Sequence, residues 1–267
     1  MSWWGKLLGG AFGYMLGGPL GGLLGAALGH SFDSGLAKIQ GWSPLRVQEQ
    51  TQMAFFTATF SVMGHVAKAD GRVTHDELRI ATNVMRQMRL NAELTRLAQR
   101  LFNEGKAPSF QLPEVLAQFR KECHQDPHLL RLFLEIQLYA ALADGDLHLQ
   151  ERRLLIHISE VLGFAHQEYL RLEAMVNAAL KFQRRAGWWK PSTQEQKLDL
   201  TDAYALLNVT PNISDEGLKR AFRRLMSQHH PDKLVANGLP EEMRAIATQK
   251  TQEIKLAYER IKKARGL

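Results

Sequence analysis

A single cysteine, Cys123, stands in 267 residues, so the chain has no disulfide framework and no Cys-x-x-Cys zinc module. That usage fits a reducing compartment. No stretch of useful length alternates apolar and polar residues, which removes strands as an organising element and predicts an all-α fold. Neither sign of charge dominates most of the chain: residues 1–180 carry 17 basic and 17 acidic side chains. The formal charge of +7 and the isoelectric point near 9.6 come instead from residues 181–197, which contribute +4, and residues 198–267, which contribute +3. An excess confined to one linker and one helical face argues against nucleic acid as a partner, the class that such an isoelectric point first suggests.

Charge is absent altogether from Leu7 to Gly29. These 23 residues would rise about 34 Å as a helix, enough to cross a bilayer core. They predict a single transmembrane helix over 7–29, with a short segment, 1–6, before it and a juxtamembrane segment, 30–45, after it. The run holds nine glycines, seven leucines and Pro19. Glycine is a poor helix former, so its use here needs another reason. Gly5, Gly9, Gly13, Gly17, Gly21, Gly25 and Gly29 recur at every fourth position. Each such step advances the stripe by about 40°, and a partner helix can follow it with the right-handed crossing of close Gly-x-x-x-Gly pairs. The expectation is a homodimer formed through this glycine zipper, surrounded by membrane lipid. The competing reading is a cleaved signal peptide. Lys6 is the only charged side chain ahead of the run, glycines interrupt it, and no convincing small-x-small cleavage site precedes the following domain. Charge does not orient the span, since Lys6 and the amino terminus face Lys38, Arg46 and Asp33 across it.

Residues 46–180 read as a helical domain with an internal repeat at an offset of 74. Ala67, Ala69, Asp70, Gly71, Val73 and Glu77 match Ala141, Ala143, Asp144, Gly145, Leu147 and Glu151. In each copy the glycine ends one helix and the next begins, with Thr74 and Glu77 forming a capping box in the first. Phe56, Phe60 and Met63 line the helix before one loop, and Leu129, Phe133, Ile136 and Ala140 the helix before the other. The loops imitate the second half of a calcium-binding EF-hand. However, the first and third ligand positions would be Val66 and Lys68, or Ala140 and Leu142, so a turn-and-cap role is the better reading. Residues 181–197 form a basic linker with Arg184, Arg185, Lys190 and the pair Trp188 and Trp189, suited to the anionic inner leaflet or to a solvated tether.

The strongest local pattern lies in residues 198–267. Over 215–229, Leu218, Ala221, Phe222 and Leu225 share one helical face and Lys219, Arg220, Arg223 and Arg224 the opposite one. Ser214 is placed as N-cap, Asp215 and Glu216 occupy the first turn, and Ile213 is placed to staple onto Leu218. Pro231 ends that helix, and a polar loop containing His229, His230, Asp232 and Lys233 leads to a second helix. Pro240 starts it, and Met243, Ile246, Ala247, Ile254, Ala257, Tyr258 and Ile261 give it an apolar face. Two other readings compete: a plain solvated basic face, and a metal site at His229, His230 and Asp232. Adjacent residues seldom converge on one ion, and the surroundings are cationic.

Asp202 through Tyr204, Leu206, Leu207 and Val209, the basic helix, and His230-Pro231-Asp232-Lys233 together resemble the J-domain of DnaJ/Hsp40 co-chaperones. Gly217 and Phe222 depart from the family habit, which favours an acidic residue and a tyrosine there. The resemblance implies action by contact. The basic helix docks on an Hsp70 ATPase domain, DnaK in bacteria, with Lys219, Arg220, Arg223, Arg224 and Lys233 orienting the dock. His230, Pro231 and Asp232 couple client capture to ATP hydrolysis. It implies no enzymatic activity, catalytic residue, metal or cofactor of the chain's own. The repeated helical pattern is similar to the TerB-like domain. Taken in order, the whole chain resembles the DjlA family of membrane-anchored DnaJ-like proteins of Gram-negative bacteria. That implies a single-pass protein of the inner membrane with its C-terminal domains in the cytoplasm, a central domain that selects an unidentified client, and a link to envelope stress or capsule regulation. Lacking a Gly/Phe-rich region, the chain is not expected to capture unfolded clients generally. The alternative is a membrane scaffold or signalling adaptor whose J-domain only tethers.

Overall fold

The computed structural model describes residues 18–28, 47–69, 82, 84–86, 88, 90–123, 126–142, 147–186 and 193–267. Among these residues every regular element is helical. The N-terminal and central elements are α1 Gly18–Leu28, α2 Val47–Ala67, α3 Ala92–Gly105, α4 Leu112–Cys123, α5 Pro127–Ala141, α6 Leu149–Val161 and α7 His166–Ala186. The C-terminal unit is built from α8 Thr193–Leu206, α9 Asp215–Gln228, α10 Pro231–Ala236, a 3-10 turn at Glu241–Met243 and α11 Arg244–Arg265.

The core is arranged around α2, in which every residue from Thr51 to Gly64 is buried. A helix without a solvated face belongs in the middle of a bundle, and α3, α4, α5 and α6 all pack on it. Two of its buried hydroxyls turn onto its own carbonyls: Thr59 Oγ1 donates to Phe55 O at 2.7 Å and Ser61 Oγ to Thr57 O at 2.8 Å. Phe55, Phe119 and Phe133 from α2, α4 and α5 form an aromatic contact between the helices, with the Phe119 and Phe133 rings 4.4 Å apart. The apolar faces predicted ahead of the repeated loops are α2 and α5, and all seven residues named for them are buried. Residues 70–81 and 143–146, including the Thr74 and Glu77 box, lie outside the described residues. In the second copy His148 N–H donates to Glu151 Oε2 at 3.1 Å, which is half of a capping box.

The predicted transmembrane helix is described only as α1, eleven residues rising about 16 Å. No helix among the described residues is long and apolar enough to cross a membrane. The helix instead lies on α3 and α4 with Leu20, Leu24 and Ala27 buried. One backbone group at each end is met from outside: Leu20 N–H donates to Gln118 Oε1 at 2.9 Å and Arg100 Nη1 to Ala27 O at 3.0 Å. Of the zipper glycines, Gly21 is buried, while a Cβ on Gly25 would meet nothing within 4 Å among the described residues. Gly5, Gly9, Gly13, Gly17 and Gly29 lie outside those residues. Helix also enters the expected linker from both sides, as α7 runs to Ala186 and α8 starts at Thr193. The helix breakers Gly187 and Pro191 fall between them; Trp188, Trp189 and Lys190 are outside the described residues.

In the C-terminal unit α9 and α8 each pack on α11, with Phe222 stacked on Tyr258 at 4.2 Å. Arg265 closes the far end, donating to Tyr204 Oη, Ile213 O, Asp215 Oδ1 and Pro211 O at 2.7–2.9 Å.

The tightest point of the fold is the crossing of α2 by α3. A Cβ on Gly64 would lie 1.9 Å from Phe102 O, and one on Gly105 would lie 1.8 Å from Ser61 O. Backbone cannot yield as a side chain can. Gly64→Ala and Gly105→Ala should each cost about 1–3 kcal/mol or more in urea unfolding followed by circular dichroism. Gly22→Ala, where a Cβ meets nothing, should be neutral or stabilising by about 0.5–1 kcal/mol. Equal midpoints for Gly105→Ala and the wild type would refute the close crossing.

Candidate functional site

The basic rail sits on a well-capped helix. Ser214 Oγ accepts from Gly217 N–H at 3.1 Å, Asp215 and Glu216 occupy the first turn, and Leu218, Ala221 and Leu225 are buried beneath it. Phe222 is half-buried, and Lys219, Arg220, Arg223 and Arg224 are exposed. Glu216 reaches Arg220 at 3.9 Å, an exposed pair of little energetic consequence that leaves the rail cationic.

At the end of the rail the backbone turns sharply. The sequence predicts that Pro231 ends α9; in the structure α9 stops at Gln228 and Pro231 opens α10, with His230 as its N-cap. The reason is that proline's fixed φ suits the first helical position, where a missing N–H costs nothing. The expected polar loop therefore contains a six-residue helix. Pro240 likewise caps a 3-10 turn at Glu241–Met243, and α11 starts at Arg244.

This turn sends His230 and Asp232 outward, 46% and 65% exposed, with Nδ1 of His230 3.9 Å from a carboxylate oxygen of Asp232. Asp232 is ion-paired with Arg244, which also donates to Glu241 at 2.9 Å. Lys233 is exposed and donates to Ser227 Oγ at 2.7 Å. The structure thus brings the four rail residues, His230, Asp232 and Lys233 to the surface of one unit, with Pro231 half-buried among them.

His229 is turned the other way and is buried. Its Nδ1 is 3.0 Å from Leu225 O, and its Nε2 is 3.1 and 3.0 Å from the two carboxylate oxygens of Glu135 on α5. An imidazole standing between two acceptors satisfies both only when each nitrogen carries a proton. The three residues considered as a metal site therefore do not converge, and no cluster that could hold a metal ion occurs among the described residues.

Glu135 has no exposed side-chain surface. Burial alone would push its carboxyl up. The charge and hydrogen bond of His229, followed by Lys250 and Arg131, outweigh burial and hold it well below the usual carboxylate range. Around this pair, Gln48 Nε2 donates to Val235 O at 3.1 Å, Asn237 bonds Asp126, and a Cβ on Gly238 would strike Thr51. The sequence reading missed this contact between the central and C-terminal units, and it missed Arg244 as the partner of Asp232. Cys123 is also buried, and burial pushes its thiol up, so the lone cysteine is unreactive.

Three family models match along the chain: the co-chaperone DjlA transmembrane domain over residues 1–39, tellurite resistance protein TerB over 56–174 and the DnaJ domain over 202–265. The chain is 46% identical over 281 residues to the co-chaperone protein DjlA of Coxiella burnetii, covering 100% of both chains. It is 44% identical over 277 residues to that of Photobacterium profundum, covering 98% of this chain and 99% of the relative. With that of Shewanella oneidensis it shares 43% identity over 268 residues and 100% of both chains. No solved structure matches.

The buried carboxylate makes stability depend on acidity in one direction. A carboxyl held low contributes stability that is complete above its ordinary value of 4.5 and is lost as the pH falls toward about 2. Wild type and Glu135→Gln should differ most in thermal midpoint above about pH 5, and the gap should close on acidification. A gap unchanged down to about pH 3 would show that the ionised form is not the stabilising one.

Proposed function

Because the chain belongs to the DjlA family of co-chaperones, we propose that it recruits cytosolic Hsp70, DnaK in bacteria, to the inner membrane and stimulates its ATPase. The observation that carries this reading is the exposed face running from Lys219, Arg220, Arg223 and Arg224 to His230 and Asp232, on a unit that matches the DnaJ domain. A cationic rail speeds and orients encounter with an acidic partner more than it adds affinity, which suits a partner that must be released. The chain makes and breaks no bond itself. The rail aligns the ATPase domain, and the exposed His230 and Asp232 engage it where hydrolysis is coupled to client capture.

The same proposal places residues 7–29 once across the membrane, with the C-terminal units in the cytoplasm, where Hsp70 and ATP are found. The match to the DjlA transmembrane domain over 1–39 supports this placement. Self-association through the glycine stripe would set two such units side by side. The central unit would select the client, with envelope stress or capsule regulation as its setting.

Single-turnover ATP hydrolysis by DnaK, with the full chain in lipid nanodiscs, tests the central claim. The wild type should accelerate hydrolysis, and His230→Gln should remove at least about tenfold of that acceleration. The concentration for half-maximal effect should rise with salt, since exposed charges act over about 10 Å at 0.1 M ionic strength. Acceleration that survives the substitution, or none from the wild type, would overturn the reading; survival would favour a scaffold whose J-domain only tethers. In spheroplasts, external protease should leave residues 198–267 intact, and their digestion would reverse the proposed orientation.

A further inference from the structure

The C-terminal unit is held on the central unit by a contact centred on the residue that precedes the exposed loop. We propose that Glu135 is a positioning residue for the His230-Pro231-Asp232 loop, acting from the central unit through His229. This rests on the reading that the loop works on an Hsp70.

His229 is the C-cap of α9, with φ −107° and ψ 14°, and His230 is the N-cap of α10, with φ −63° and ψ 121°. These two residues make the whole change of direction between the rail and the loop. One nitrogen of His229 is fixed to α9 itself at Leu225 O, and the other is fixed to α5, which belongs to a different unit 94 residues away. The turn is therefore pinned from outside the unit that carries it.

Other contacts keep the pin in place. Gln48 meets Val235 O and Asp126 meets Asn237 at the far end of α10. Leu132, Glu135, Ile136 and Tyr139 of α5 line one small cavity with Ile246, Gln249, Lys250 and Glu253. None of Lys219, Arg220, Arg223 or Arg224 takes part, so docking leaves the rail open. A fully buried carboxylate is a costly way to glue two surfaces that apolar residues would hold as well. Such pairs are best attested where they fix one register among several. Here the register is that of the turn, because removing Glu135 leaves the buried imidazole without its partner and favours a turn that carries it to water.

The rail governs encounter and the loop governs coupling, so the two should separate in kinetics. In single-turnover hydrolysis by DnaK with the full chain in nanodiscs, Glu135→Ala should lower the maximal stimulated rate about fivefold or more. The half-saturating concentration should move less than about twofold. Glu135→Gln, which keeps an acceptor for Nε2–H of His229, should retain most of the rate. Spin labels at Arg153→Cys and Lys263→Cys, both exposed sites, with inert Cys123 left in place, should give one narrow distance in the wild type and a broad one in Glu135→Ala. Should Glu135→Ala fail to fold, Gln48→Ala with Asn237→Ala loosens the same contact from its rim and should shift both readouts in the same direction.

A lost narrow distance with an unchanged maximal rate would overturn the proposal. So would a change confined to half-saturation, or a Gln variant as impaired as Ala. Absence of stimulation by the wild type would sink the Hsp70 reading as well, whereas stimulation that ignores Glu135 sinks this one alone.

Discussion

The whole arrangement depends on a helix crossing with no room for a side chain. Gly64 and Gly105 bring the backbones of α2 and α3 together so closely that Phe102 O and Ser61 O fill the spaces where a Cβ on each glycine would lie. This contact draws α3 onto one side of α2 and leaves the other sides to α4, α5 and α6. The position of α5 follows from that packing, through Phe133 against Phe55 and Phe119 and through Gln137 donating to Thr59 O at 3.0 Å. Glu135 on α5 and Asp126, its N-cap, then reach the C-terminal unit. A backbone contact deep in the bundle thus sets the stage on which the exposed loop is presented.

Charge does two different jobs in this molecule. On the rail, solvent screens each side chain, so a single ion pair such as Glu216 with Arg220 adds little to stability and the summed field is what a partner meets. At Glu135 and His229 there is no solvent to share the charge. Glu135 takes its hydrogen bonds from His229 and from Arg131 Nε at 3.2 Å, and removing Glu135 leaves the buried imidazole without its carboxylate. The first kind of charge suits encounter, and the second suits orientation. Their placement on opposite sides of α9 lets one unit have both.

The rail was legible in the sequence because a helix repeats every 3.6 residues and its caps are local. Lys219, Arg220, Arg223 and Arg224 lie where the pattern puts them, and Ser214 caps as its spacing implies. Pro231 was half-legible, since proline both stops a helix and starts one, and the pattern alone favoured the stop. Glu135 was not legible. On a helix reading Leu132, Phe133, Leu134, Glu135 and Ile136, a lone acid looks like the solvated position, and its partner is 94 residues away. The repeat found the two helices that build the core and, at Glu151, the cap of the second copy.

The N-terminal helix poses a choice that burial can decide. On the central unit α1 hides Leu20, Gly21, Leu24 and Ala27, while Gly18, Gly22 and Ala26 stay exposed and Leu23 is half-covered. A helix that is apolar all round can satisfy only one side on a protein surface, whereas a bilayer covers its circumference. The described helix holds eleven of the 23 uncharged residues from Leu7 to Gly29. At about 25 cal/mol per Å², burial of the whole apolar circumference is what the proposed membrane placement of residues 7–29 would add. The docked position competes through Gln118 and Arg100, which satisfy Leu20 N–H and Ala27 O, groups that the ladder of a helix over 7–29, interrupted at Pro19, would satisfy by itself. The proposed insertion would put the same residues to a different use and would open the surface of α3 and α4 that α1 covers.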